Sequence, residues 1–216
     1  SFYTTLSTVA QTIKLDLGLR VATIDLGGWD THEAQGVGST GLYTNLVAVL
    51  TQGLHAFYND MSAYANRLTI VVMSEFGRRL GVNSSGGTDH GHGNVMFVIG
   101  GKVNGGKVYG QWPGLENLDQ NQDLRITTDY RTILSEILIR RFKNNRIGYV
   151  FPNFTNYSPL GIIGTSSDDL PPDYSTPQPT VTTPTSTTPQ PTTPTAATPQ
   201  PTTAPTQTPQ PTPTTG

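Results

Sequence analysis

Hydrophobic positions along the first three quarters of the chain follow two different periods. Apolar residues that recur every three or four positions predict amphipathic helices, and short apolar or β-branched runs predict strands. The predicted helices cover residues 2–17, 41–66 and 129–142, and the predicted strands cover residues 20–25, 68–73 and 94–100. The last two runs are apolar on consecutive residues, which is typical of strands buried on both faces. The order therefore predicts an α/β fold, a mainly parallel sheet with helices on both faces.

The pattern ends before a tail, residues 175–216, that contains 18 Thr, 12 Pro and no charged residue. Its Thr-Pro-Gln-Pro-Thr segment occurs four times, at residues 176–180, 188–192, 198–202 and 208–212. Proline lacks an N–H and restricts φ, so we expect an extended, polyproline-II-like chain. Thr beside Pro is typical of O-glycosylated stalks, which predicts glycans on the tail. The chain thus divides into a domain at 1–163, a junction at 164–174 and a stalk or linker.

Charge and composition exclude several classes of protein. A net charge of −2 offers no basic surface for nucleic acid or for an anionic membrane. No apolar run approaches the roughly 18 residues of a transmembrane helix, so none is predicted. The absence of Cys excludes disulfides, a thiol nucleophile and a Cys-ligated zinc site. The sequence starts without an initiator Met or signal peptide, so we expect Ser1 to be a processed end or a cut.

Carboxylates and histidines cluster where the predicted strands end or begin. They are Asp25, Asp30 and His32 after the first strand, Glu75 with Arg78 and Arg79 after the second, and Asp89, His90 and His92 before the third. Ligands of α/β sheets bind beyond the carboxyl ends of the strands. Carboxylate and imidazole together suit zinc, manganese or iron, and an Asp next to a His can orient its ring. The sequence therefore predicts a divalent metal site at one edge of the sheet.

The same residues also allow structural interpretations. Asp25 and Asp30 flank a Gly-Gly pair and can cap a turn, and His90 and His92 can bond to loop backbone. Arg78 and Arg79 can grip an oxyanion or form a structural ion pair with Glu75 or Asp89. Three further residues are assigned structural roles: Trp29 in packing, His55 within the long helix, and Asp129 near the start of the last helix, where Thr128 is the predicted N-cap.

Four segments, residues 25–32, 73–78, 87–93 and 100–110, resemble a bacterial family known as domain of unknown function 1501. That family is placed in the alkaline phosphatase and sulfatase superfamily, and the resemblance covers about residues 1–163. It implies an exported protein with an alkaline phosphatase-like core. It also implies metal-dependent hydrolysis of a phosphate or sulfate ester, with metals stabilising the attacking and leaving oxygens.

The resemblance also suggests roles for individual residues. In the superfamily a strand ends in Asp, followed by a His that binds the same metal, and Asp25 or Asp30 with His32 resembles this pair. A later Asp-His pair corresponds to Glu75 and Phe76, so the carboxylate is kept and the His is lost. The last His ligand corresponds to His90 or His92. The implied metal is zinc or manganese, and Arg78 and Asp89 are the predicted catalytic residues.

The superfamily's nucleophile and its first metal carboxylate lie upstream of the resembling segments. We therefore expect this chain to be a carboxy-terminal half. Two functions follow. The first is an exported metal-dependent hydrolase acting on a small phosphate or sulfate ester. The alternative is an extracellular surface or filament-type structural protein on a degenerate hydrolase fold, which self-assembles and carries an O-glycosylated Thr/Pro tail.

Overall fold

The computed structural model describes residues 1–177, which form one compact unit. In chain order its elements are α1 (Phe2–Lys14), α2 (Leu42–Asp60), a 3₁₀ helix (Ser62–Arg67), β1 (Ile70–Val72), β2 (Gly77–Arg78), β3 (His90–Gly91), β4 (Phe97–Ile99), α3 (Tyr130–Phe142) and α4 (Ile147–Val150). No helix in this part of the chain is both long and apolar enough to cross a membrane. The Thr/Pro repeats lie almost entirely outside the described residues, so the stalk, its glycans and self-assembly stay predictions.

The three predicted helices are confirmed, with shorter bounds. Helix α1 ends at Lys14, because Asp16 takes a positive φ of 52° two residues later. Helix α2 ends at Asp60, and the chain continues as the 3₁₀ helix up to Arg67. The apolar period persists through that tighter turn, so the sequence pattern does not mark the change.

The N-cap of α3 was predicted one residue too early. Asp129 is the N-cap, not Thr128, and its carboxylate accepts a hydrogen bond from the Arg131 N–H at 2.9 Å. Asp129 also forms an ion pair with the Arg131 guanidinium. A carboxylate at this position satisfies a free N–H of the first turn and interacts favourably with the helix dipole.

The strands differ more from the sequence prediction. β1 pairs with β4 and β2 with β3, both antiparallel, with Val71 opposite Val98 in the first pair. The predicted strand at 20–25 has no regular structure, and it lies largely exposed. A β-branched run forms a strand only where a partner supplies its hydrogen bonds, and residues 1–177 supply none here. Among the described residues the strand pairs are antiparallel, so the parallel sheet remains a prediction.

Three apolar clusters hold the described residues together. The first joins α1 and α2 through Leu6, Ala10, Phe57 and Met61. The second packs Ile133 and Ile137 of α3 against the β1–β4 sheet and the chain at 162–163, and the third surrounds Ile147. The burial of apolar side chains is the main favourable contribution to folding, so these clusters stabilise the scaffold around the exposed loops.

Residues 164–174, predicted as a junction, pack on the last two helices. Tyr174 contacts the third cluster, and the Asp173 carbonyl accepts a hydrogen bond from the Gly148 N–H at 2.9 Å. Asp169 accepts a hydrogen bond from Lys143 at 2.9 Å. These contacts show that folded structure continues past residue 163.

Candidate metal centre

The β2–β3 hairpin positions His90. In its register Arg78 lies opposite His90 and Gly77 opposite Gly91. A Cβ on Gly77 would lie 2.1 Å from the carbonyl oxygen of Gly93, so only glycine allows the two backbones to approach this closely. The hairpin thus depends on the glycines that surround the histidines in the sequence.

A second loop carries Asp30 and His32 to the same place. Thr31, between them, is buried, and its hydroxyl donates to the Gln35 side-chain oxygen at 2.9 Å. The Asn83 amide donates to the His32 carbonyl at 2.8 Å. A Cβ on Gly87 would lie 2.2 Å from the His32 carbonyl carbon, so this loop also packs tightly against the hairpin connection.

The two loops bring three potential ligands together, which we call the Asp30–His32–His90 cluster. Asp30 Oδ1 lies 3.0 Å from His32 Nε2 and 2.7 Å from His90 Nε2. The ligand atoms of the three residues all lie within 4.8 Å of one another. Each side chain is about half exposed, so solvent and a small ligand can reach the cluster.

Neighbouring side chains orient the two imidazole rings. His32 Nδ1 lies 3.1 Å from Asp89 Oδ1, and the Asn83 amide donates to the same oxygen at 3.1 Å. The Phe76 ring stacks on His90, with centroids 3.9 Å apart and planes at 11°. A carboxylate that accepts the Nδ1–H of an imidazole leaves the Nε2 lone pair free for a metal.

Hydrogen bonds and positive charge stabilise the ionised carboxylates. The hydrogen bond from His90 lowers the pKa of Asp30 below its ordinary value, and His32 and Arg78 add to this effect. The hydrogen bonds from Asn83 and then His32 lower the pKa of Asp89 in the same way. Both carboxylates are therefore anionic at neutral pH, as metal binding and ring orientation require.

Arg78 is held within the site. Its guanidinium donates to the backbone carbonyls of Trp29 and Thr88 and lies 3.5 Å from Asp30 Oδ1. It also lies over the Phe76 ring, 4.8 Å from its centroid. These contacts hold the loop that carries Asp30 against the hairpin that carries His90.

Comparison with protein families gives one match. The model of the family described as "Protein of unknown function (DUF1501)" matches residues 8–141. The chain belongs to this family. The matched region contains the whole Asp30–His32–His90 cluster together with Asp89, so the site lies within the part that the DUF1501 family defines. No curated protein and no solved structure matches the chain.

The remaining predicted ligands of this DUF1501 chain lie apart from the cluster. His92 Nδ1 lies 2.8 Å from Asp119 Oδ2, and His92 Nε2 lies 3.6 Å from Asp123 Oδ2. Asp25 and Glu75 are exposed and do not belong to the potential ligand group that residues 1–177 form. Tertiary structure thus selects three of the six predicted metal ligands.

Arg79 and Asp123 form an ion pair beside His92, in which Asp123 is buried and Arg79 is partly exposed. Arg79 Nε lies 3.7 Å from Asp123 Oδ1, and neither atom has a hydrogen-bond partner among residues 1–177. Arg79 also lies 3.6 Å from Asp89, which matches the predicted structural ion pair, whereas Arg78 pairs with Asp30 instead.

Sequence reasoning missed Asn83, Asp119 and Asp123 as neighbours of the site. Nothing in the local sequence marks Asn83 for this role, because it donates to the carbonyl of His32, 51 positions earlier, as well as to the nearby Asp89. The two aspartates enclose a polar Gln-Asn-Gln turn, and acidic residues at both ends of such a turn are a signal that the sequence does contain.

Proposed function

We propose that this protein is an exported metal-dependent hydrolase of the alkaline phosphatase and sulfatase class, acting on a phosphate or sulfate ester. In this proposal Asp30, His32 and His90 hold one divalent ion, zinc or manganese. The observation that carries the proposal is the convergence of two imidazole Nε2 atoms on one carboxylate oxygen, at 3.0 and 2.7 Å.

The donor set fits such an ion. Two imidazoles and one carboxylate are a common zinc set, and with three protein ligands one coordination position stays open for water or substrate. Bonds of about 2.0–2.1 Å place two ligands of a tetrahedral zinc about 3.3 Å apart. The two separations from Asp30 Oδ1, 3.0 and 2.7 Å, need to widen by only a few tenths of an ångström, which half-exposed side chains allow. The His32 and His90 rings are partly exposed and the loops around them are rich in glycine, so an ion can enter the site from solvent.

A divalent ion at this position would supply positive charge that stabilises the oxygens of a phosphate or sulfate ester during hydrolysis. The chain's own residues prepare the site for it. Asp89 holds His32 in the tautomer whose Nε2 accepts a metal, and Phe76 sets the plane of His90. Arg78 bonds to two backbone carbonyls, which supports a positioning role for Arg78 rather than a direct grip on the substrate.

Metal content of the full chain tests the proposal. After dialysis against metal-free buffer and reloading with zinc, we expect about one tightly bound ion per chain by elemental mass spectrometry. H32A and H90A should each lose it. H55A is the matched control, because His55 lies on α2 and contacts Asn59 at 3.0 Å instead of the cluster. Equal zinc content in H90A and H55A would refute the proposed metal site.

Catalysis needs a separate measurement. Because the resemblance places the nucleophile upstream of the resembling segments, the zinc-loaded protein is expressed with any coding sequence that precedes Ser1. It is assayed with aryl phosphates and aryl sulfates, and D30N is compared with wild type at equal concentration. We expect turnover of at least one ester class and its loss in D30N. Bound zinc without turnover of either class would leave a metal-binding protein and refute the hydrolase assignment.

A further inference from the structure

An open cleft that is lined mainly by polar side chains contains an exposed tryptophan. The cleft has a volume of about 580 Å³, and Trp112 in its wall is 71% exposed. Its polar side chains are those of Gln111, Asn117, Asp119, Arg125 and Thr127. The exposed indole offers a flat apolar face on which the ring of a ligand can stack, with hydrogen-bonding groups around it.

The surroundings of Trp112 determine which ligand suits it. Asn117 and Arg125 are exposed, and planar amide, carboxylate and guanidinium groups line the cleft together. Such groups form paired hydrogen bonds with neighbouring hydroxyls or with an anionic substituent. A ring with one apolar face and many hydroxyls matches one aromatic wall and several polar ones, and a pyranose sugar has this chemistry.

Pro113 and Ile126 add apolar surface to the cleft, so a nucleobase is the competing stacking ligand. A net charge of −2 gives no general attraction for a polynucleotide, which leaves a free nucleotide as the alternative. The five polar side chains of the cleft favour a sugar ring, because its several hydroxyls offer them more hydrogen-bond partners than a base does.

The cleft connects to the histidine segment of the site. Asp119 lines the cleft, and its carboxylate contacts His92 Nδ1 at 2.8 Å. His92 lies two residues after His90 of the metal cluster. Asp119 thus links the cleft to the segment that carries His90, a proposed metal ligand.

We propose that this cleft binds the sugar ring of a glycan that carries the sulfate or phosphate ester, with Trp112 as the stacking surface. The substrate role of that glycan rests on the proposed hydrolase function. Binding of the sugar itself does not, because the cleft contains none of the three proposed metal ligands.

Tryptophan fluorescence tests the proposal directly, because the chain has only two Trp residues. Trp29 packs edge-on against Tyr43 with ring centroids 5.5 Å apart, so its signal should be little affected by ligands in the cleft. The W29F variant isolates Trp112, and W112F isolates Trp29. The probes are sulfated galactan oligosaccharides, the same oligosaccharides after desulfation, and adenosine monophosphate.

We expect saturable fluorescence changes with the sulfated and the desulfated galactan in wild type and W29F. In W112F we expect no change with the desulfated galactan, because Trp29 lies next to Asp30 and responds only to a ligand that reaches the metal cluster. Calorimetry with W112A should show at least tenfold weaker binding, while its zinc content stays equal to wild type. R125Q should weaken binding of the sulfated oligosaccharide more than binding of the desulfated one.

Three outcomes would overturn the cleft proposal. They are no sugar-dependent change in W29F, unchanged calorimetric affinity in W112A, or tighter binding of adenosine monophosphate than of any oligosaccharide. Zinc loading separates the two proposals, since sugar binding without a zinc site refutes only the hydrolase. A zinc site without sugar binding refutes only the cleft.

Discussion

Glu136 is the polar residue on which the fold should depend most. Its side chain on α3 is 0% exposed. One carboxylate oxygen accepts the N–H groups of Leu160 and Gly161 at 2.8 and 3.1 Å. The other accepts the Ile163 N–H at 2.9 Å and the Arg140 guanidinium at 2.5 Å. The carboxylate therefore ties the segment at 160–163 to the middle of α3.

The E136Q variant keeps the shape but turns one acceptor oxygen into an NH₂ donor. Whichever way the amide lies, two of the four donors lose their acceptor, and each buried unpaired donor costs about 1–3 kcal/mol. Arg140, whose side chain is only 9% exposed, also loses the nearer of its two negative partners and keeps Asp169 at 3.8 Å. Removing one member of a buried pair costs about 3–5 kcal/mol, and we expect the free energy of unfolding to fall by that amount.

Urea unfolding followed by circular dichroism measures this loss. The total free energy of unfolding of a domain is about 5–15 kcal/mol, so the midpoint should shift far outside error. E116Q is the matched control, because Glu116 is exposed on a loop and should change stability by less than about 0.5 kcal/mol. A loss below about 1 kcal/mol in E136Q would refute the argument that this carboxylate carries the segment.

Three further predictions concern the site and the core. D89N leaves the Nδ1 atom of His32 without its anionic partner, so zinc affinity measured by competition with a chelator should fall about 10–100-fold. G77A places a Cβ 2.1 Å from a backbone carbonyl oxygen, so it should displace the hairpin and lower both zinc affinity and the thermal unfolding midpoint. Burial, followed by the nearby Glu136 charge, raises the pKa of Tyr157 to about 12, against an ordinary value of 10.0. Because the folded state holds this proton more tightly, stability should fall as pH rises from about 10 to 12, and the fall should be smaller in Y157F.

Each of these variants has a control elsewhere in the chain. D168N changes an exposed aspartate, so zinc affinity should stay unchanged, and equal losses in D168N and D89N would contradict the orienting role. A Cβ on Gly81 meets no atom within 4 Å, so G81A should be tolerated where G77A is not. Tyr149 is 50% exposed, so Y149F should lose as much stability at alkaline pH as wild type, whereas Y157F should lose less.

The helices were predictable because their signal is local. Leu6 and Ala10 lie four residues apart on α1, Phe57 and Met61 lie four apart at the end of α2, and the four meet in one cluster. A helix makes its backbone hydrogen bonds within itself, so the apolar period alone predicts where it forms. The exact ends of a helix depend on single residues, and α3 is capped by Asp129 rather than by the neighbouring Thr128.

Strands were less predictable because their hydrogen bonds come from distant residues. The run at 20–25 has a strand composition but finds no partner among residues 1–177, whereas Ile70 and Val71 pair with residues 27 to 29 positions further along. β-branched composition indicates what suits a strand, and only the partner decides whether and in which direction it pairs.

By itself, the sequence determined which chemical groups are available to the site, namely carboxylates and histidines in glycine-rich loops. Only the tertiary structure decided which of them meet. Asp30 contacts His90 across 60 residues of chain, while His92, two positions later, lies against Asp119. Side-chain direction depends on the backbone register of a short hairpin and on long-range hydrogen bonds, and neither is a local property of the residues involved.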